Sequence, residues 1–238
     1  MSGMTGTTTR PRTPPSGRRP AADGWVPVRL PAVGFVVTYA VLLLAIPSQL
    51  IFLPLGSPGT PANLVGVGAL VWWLAATLGG QNPVKRFTPT RVSVLLLTCT
   101  VLASYVSAML QGWHAPADVM VRAADRGLLS FAAWLGIVLM AAEGLRSWRD
   151  VELVVEWLAW LGTFVAALGI VQFFTGLDIA GFFVIPGLSA NSEFGAVIGR
   201  SVLNRVSATA VHPIEYGVVL GALLPLLVHP ASQHRYRR

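Results

Sequence analysis

Arg200 and Arg205 stand on the approach to the run Val211-His212-Pro213-Ile214-Glu215-Tyr216-Gly217, and neither has an acidic residue within four positions. A guanidinium presents a rigid planar fork of donors that matches phosphate oxygens. The chemistry these two residues suit is therefore anion binding, with Glu215 as the alternative partner inside the chain. A second charged segment, 112–126, reads GWHAPADVMVRAADR. Pro116 followed by Asp118 suits a helix start, which sets Asp118 against Arg122 and Arg122 against Asp125 on one face. Arg126 follows directly. One reading is a short interfacial helix whose charges pair among themselves. The other turns Arg122 or Arg126 inward to bind an anion. His212, ahead of a proline, reads equally as a ring that orients a site and as one bonded to backbone. His114 has no recognisable orienting neighbour. A single cysteine, Cys99, rules out a disulfide scaffold and a multi-cysteine metal centre.

The elements that must position these groups are membrane spans. Of 238 residues, 54% are hydrophobic and 11% charged, against about 25% charged in an ordinary soluble domain. Mean hydropathy is +0.64 even with the polar ends included. Crossing about 30 Å of hydrocarbon takes roughly 20 apolar residues in a helix. Five stretches qualify, at about 32–54, 63–80, 92–111, 127–145 and 153–175, and a sixth at about 211–228 begins with His212, Pro213 and Glu215 in its first turn. Lipid gives the backbone no hydrogen-bond partners, so the spans should be helices; none alternates as a membrane β-barrel strand does. The expected fold is an all-α integral membrane protein, a bundle of about six transmembrane helices over 31–229. Residues 1–30 form a disordered basic arm and 230–238 a basic tail.

Basic residues orient the bundle. Thirteen of them fall in the arm, the second and fourth connections and the tail, and four (Arg122, Arg126, Arg200 and Arg205) fall on the other side. Both termini are therefore expected in the cytoplasm. The net charge of +7 is scattered between apolar blocks, which argues against a nucleic-acid-binding face. The arm lacks the short apolar core of a cleavable signal. Within the spans, Pro47-Ser48-Gln49 should kink the first helix, and Trp72 and Trp73 should pack between helices. Gly66-Val-Gly68 allows close helix contact without the four-residue spacing of a dimer motif. The connection 176–210 is the longest, and its apolar run Phe182-Phe183-Val184-Ile185 argues for an external re-entrant or surface-lying loop.

Arg205-Val-Ser-Ala-Thr209-Ala-Val-His212-Pro213-Ile-Glu215-Tyr-Gly217, followed by Val-Val-Leu-Gly-Ala-Leu-Leu-Pro225-Leu, resembles the entry to a central helix in the O-antigen ligase and polymerase family. Gln172-Phe-Phe-Thr-Gly176-Leu at the end of the fifth span fits the same order of aromatic-rich helix, external loop, Arg…Thr…His-Pro and next helix. The resemblance covers 172–226; the earlier spans match in number and character alone. It implies a glycosyltransferase of the bacterial inner membrane. Such an enzyme moves a glycan from a polyprenyl diphosphate carrier to an acceptor hydroxyl at the outer face, without nucleotide sugar, metal or other cofactor. Arg205 corresponds to the family's motif arginine and is expected to contact the diphosphate as the catalytic cation. Arg122, Arg126, Arg200, His212 and Glu215 are the candidates for further substrate contacts. Family members continue through more helices and a second external loop that carries another histidine and arginine. The resemblance thus reaches the amino-terminal half of the pattern and implies a truncated or split enzyme that needs its second half or a partner subunit. The competing reading is a non-enzymatic multi-span protein, such as a transporter half or an assembly subunit.

Overall fold

The computed structural model describes residues 32–56, 58–79, 88–110, 117–177, 179–190 and 206–236. Six helices make up nearly all of it: α1 (Ala32–Ala45), α2 (Pro61–Leu78), α3 (Pro89–Leu110), α4 (Ala117–Gly144), α5 (Trp148–Thr175) and α6 (Pro213–Tyr236). Four segments, Pro61–Leu78, Pro89–Leu110, Met120–Gly144 and Trp148–Thr175, are long and apolar enough to cross a membrane. Ala32–Ala45 and Pro213–Val228 are shorter apolar helices. The chain is an all-α, multi-pass membrane protein.

Local chemistry sets the helix ends. Thr60 caps α2, its hydroxyl accepting from the Asn63 N–H at 3.3 Å, with Pro61 as the first helical residue. Thr88 does the same for α3 through the Arg91 N–H. Ser147 and Asp150 form a reciprocal capping box at the start of α5, satisfying donors that a helix start leaves orphaned. Gly176 ends α5 in the left-handed region at φ 68°, where a side chain would be strained.

The first helix is interrupted rather than kinked. The expected apolar run over 32–54 is helical only to Ala45, because Pro47 lacks an N–H and its ring disfavours helical backbone at Ile46. The chain then turns, with the Leu50 N–H on the Pro47 carbonyl at 2.9 Å. It forms a two-residue strand β1 (Leu50–Ile51), a single 3-10 turn at Leu53–Leu55, and re-enters the bundle at α2. A second two-residue strand, β2 (Ser189–Ala190), pairs antiparallel with β1, setting Leu50 opposite Ala190 and Ile51 opposite Ser189.

Small residues let the helices approach. At the crossing of α2 and α4, Ala69 and Ala133 are fully buried, and a Cβ added at Gly66 would come within 2.7 Å of the Ala133 carbonyl oxygen. Gly136 faces the Gly66 carbonyl and the Leu70 N–H in the same way. Gly68, the other half of the expected close-contact pair, meets open space. In lipid, close van der Waals packing of this sort drives helix association. Trp73 packs on the core formed by Ala32, Ala69 and Met140, whereas Trp72 faces outward and is exposed, contrary to the expected inter-helix packing of both.

Packing runs α3–α4–α2 on one side and α5–α6 on the other, with α1 between, touching α2, α4 and α5. Successive helices alternate in direction. The Ala32 side chain abuts Gly144, while the Asn63 amide reaches Ser130 Oγ at 3.3 Å. One end of the bundle thus holds the end of α1, the starts of α2, α4 and α6, the end of α5 and the strand pair. This is the loop end.

Candidate functional site

At the loop end the segment Val206–His212 is held between α5 and α1. The last turn of α5 brings Gln172, almost fully buried, under the backbone of the segment. Its side-chain carbonyl Oε1 accepts from the N–H of Ser207 at 3.0 Å and of Ala208 at 2.7 Å. Two N–H donors require an acceptor, so the orientation of this amide is fixed by its partners. Ala208 is buried with φ 49°, a left-handed conformation that costs a non-glycine residue about 1–2 kcal/mol. The paired bonds from Gln172 and the packing of its methyl group among Ala40, Leu44, Leu161, Val165 and Leu223 hold it there.

Thr209 completes the joint. Its hydroxyl donates to the Leu44 carbonyl at 2.7 Å, one of the carbonyls left without a helical partner where α1 stops before Pro47. The Thr209 carbonyl in turn accepts the Ser48 N–H at 2.9 Å and the Ser48 hydroxyl. A helix broken in a membrane must have its freed backbone groups satisfied by neighbouring protein, and Val206–His212 supplies that neighbour. Tyr216, one turn into α6, lies on Gly169 of α5, where a Cβ would collide with its ring. Gly162 similarly admits Leu223. Gly162, Val165, Gly169 and Gln172 follow helical spacing, so one face of α5 receives both α6 and the segment that leads into it.

The candidates from the sequence divide across this framework. His212 and Glu215 cap the start of α6: His212 Nδ1 accepts from the Ile214 N–H at 3.3 Å, and Glu215 Oε2 accepts from the Val211 N–H at 3.2 Å. Both side chains stay exposed, close in sequence to the fixed joint. Arg200 and Arg205 lie outside the described residues, as do Pro116, His114 and the side chain of Asp118. Arg122 is exposed and Arg126 half-exposed on the first turns of α4. Asp125, between them, accepts the Tyr105 hydroxyl of α3 at 2.7 Å. Since α4 packs on α1, α2 and α3, and α6 packs on α5, α1 separates the helix bearing Arg122 and Arg126 from the helix bearing His212 and Glu215.

A second polar cluster lies at the opposite end and was not legible as a site. Glu143, in the last turn of α4, is buried. It accepts from Arg91 Nε and, at 2.8 Å, from Arg91 Nη2 of α3, and from Trp73 Nε1 of α2, also at 2.8 Å. The Arg91 guanidinium also lies 5.5 Å from the Trp73 ring centroid, within cation–π range. Arg91, counted with the second connection, is thus an intramolecular partner of Glu143 and Trp73. The signal was present: a carboxylate inside an apolar run needs a partner, and Arg91 begins the helix that precedes it.

Among the described residues no group of histidine, cysteine, aspartate and glutamate could hold a metal ion. No family model, curated protein or solved structure matches the chain.

Proposed function

We propose that the chain is a membrane glycosyltransferase-like protein of the O-antigen ligase and polymerase type, acting on a glycan carried by a polyprenyl diphosphate. The observation that supports this most is the joint at the loop end. Gln172 and Thr209, both quoted for the family resemblance, hold one backbone segment there, and His212-Pro213 follows that segment at the start of α6. Arg205 precedes Val206, the first described residue of that segment, in the sequence. In this reading Arg205 is the cation that meets the carrier's diphosphate. Preorganised positive charge aimed at a developing anion is worth most where water is excluded.

The reaction forms a bond from the acceptor hydroxyl oxygen to the anomeric carbon and breaks the bond from that carbon to the diphosphate. The diphosphate leaves with the electron pair and the hydroxyl proton passes to a base. Arg205 stabilises the leaving diphosphate. The resemblance carries no residue of the matched stretch as that base. The loop end then faces the outer side of the inner membrane and both termini the cytoplasm, as the basic residues suggest.

A transporter half is the other reading. Transporter sites sit near the midplane at broken helices, whereas Glu143 lies one residue from the end of α4 and is already paired with Arg91. The deciding experiment measures undecaprenyl diphosphate binding to the chain in nanodiscs, with Arg205→Ala and Arg205→Lys. Loss of binding in the alanine variant with partial retention in the lysine variant supports the assignment. Full binding by Arg205→Ala overturns it.

A further inference from the structure

Two loops at the loop end share an unusual surface. The turn after β1 leaves Leu53 63% exposed, with Phe52 and Leu55 also exposed. The loop after α5 leaves Phe182 71% and Val184 87% exposed. No charged residue occurs between Ile46 and Ala62, nor over 179–190. The β1–β2 ladder joins the two loops into one unit.

The backbone of the first loop is also closed on itself. The Phe52 N–H bonds the Gly59 carbonyl, Leu55 N–H the Phe52 carbonyl, Gly56 N–H the Leu53 carbonyl and Gly59 N–H the Gly56 carbonyl, at 2.8–3.0 Å. In the other loop the Leu188 N–H bonds the Ile185 carbonyl at 3.1 Å. Gly59 is what lets the first loop fold so tightly, since a Cβ there would meet the Phe52 carbonyl oxygen at 2.7 Å. A loop in water has no need to satisfy its own N–H groups; one in lipid does. Exposed apolar side chains also occur where the adjoining helices end, namely Phe174 in the last turn of α5, Leu177 just after it and Ile214 in the first turn of α6.

We propose that the turn 52–55 and the loop 182–184 form one pad that inserts into the boundary between headgroups and acyl chains of the leaflet at the loop end. Apolar side chains without charge, at the level where the spans end, fit this layer. The occupant is lipid, because the bilayer already surrounds the helices from which the pad extends. The pad seats the loop end at a fixed depth, whether or not the chain acts on a lipid-linked glycan.

The test uses the full chain in phosphatidylcholine–phosphatidylglycerol vesicles, with Cys99→Ser as background. Leu53→Cys, Phe182→Cys and Val184→Cys each carry an environment-sensitive fluorophore. Blue-shifted emission at all three, quenched by headgroup-level nitroxide lipid more than by deep nitroxide lipid, is the expected result. Unshifted emission with rapid reaction toward a membrane-impermeant maleimide overturns the proposal. So does quenching at Leu53 alone, which would leave no joint pad, or a shifted but unquenched signal with cross-linking between copies. The unsubstituted chain gives an independent readout. A carbene-generating headgroup-level phospholipid should label peptides covering 52–56 and 182–188, and an absence of adducts in both overturns the proposal as well.

Discussion

The side-chain carbonyl of Gln172 and the backbone N–H of Ala208 are 2.7 Å apart, and both residues are buried. This pair holds Ala208 in its left-handed conformation and, with the Ser207 N–H on the same oxygen, ties the entry of α6 to the end of α5. Replacing Gln172 by leucine removes the acceptor and leaves two N–H groups buried without partners, at about 1–3 kcal/mol each. Gln172→Leu should destabilise the chain in detergent by several kcal/mol and speed hydrogen exchange at Ser207 and Ala208. Gln172→Glu keeps an acceptor oxygen and should lose much less. Equal losses in both variants would show that the hydrogen bonds are not what holds the joint.

The Ala208 backbone supplies a separate test at the same joint. Ala208→Gly relieves the left-handed strain but removes a buried methyl group, so the two effects offset within about 1 kcal/mol. Ala208→Val puts a branched side chain at a positive φ inside a packed cluster and should cost well over 2 kcal/mol. Thermal unfolding of the two variants checks the ordering, and a valine variant as stable as the parent would contradict it.

At the other end, Glu143 is the partner that makes Arg91 tolerable. Removing one member of a buried ion pair strands the other charge, at about 3–5 kcal/mol when both are fully buried. Arg91 keeps some exposure at the start of α3, so Glu143→Ala should cost nearer the lower figure. The double variant Arg91→Met with Glu143→Met strands neither charge and should recover most of that loss. A double variant as unstable as Glu143→Ala would show that the pair supplies more than mutual neutralisation. Denaturant titration in mixed micelles measures both variants against the parent.

The helices were legible because lipid leaves a spanning chain few choices, and runs such as Trp148–Thr175 declare themselves by length and hydropathy. The ends were less so. Pro47 announced a disturbance, but whether the chain kinks or stops depends on who satisfies the Leu44 carbonyl, and that group is Thr209, 165 residues away. The same long-range pairing hid the role of Gln172, whose partners are backbone N–H groups that any residue could have supplied. Arg91 makes a related point: counting basic residues by connection assigns charge to a side of the membrane and is silent on the partners, Glu143 and Trp73, that its guanidinium meets. For His212 and Glu215, local spacing does not separate side chains that face a ligand from side chains that cap the start of α6, as both do here.

The contact between α2 and α4 makes a sharper prediction than the sequence spacing allowed. Gly66 lies against the Ala133 backbone while Gly68 faces open space. Gly66→Leu cannot be absorbed without separating the two helices, and should cost several kcal/mol or prevent stable folding. Gly68→Leu, in the same helix two residues on, should leave thermal stability within about 1 kcal/mol of the parent, since it adds a side chain on an open surface. Comparable damage at the two positions would mean that this crossing is not where the helices meet.

The strand pair supplies the last test, because it fixes a register between two loops more than a hundred residues apart. Leu50 and Ala190 are direct partners, and paired positions in an antiparallel ladder lie about 4.5–5.5 Å apart at Cα, inside the range that a disulfide spans. In a Cys99→Ser background, Leu50→Cys with Ala190→Cys should therefore oxidise readily to an intramolecular disulfide, visible as a mobility shift that reductant reverses. Leu50→Cys with Val184→Cys, off the ladder, should not close. Formation of the second bond at a similar rate would mean that the loop after α5 slides over β1, and the two-residue ladder would then be too weak to couple the loops as one unit.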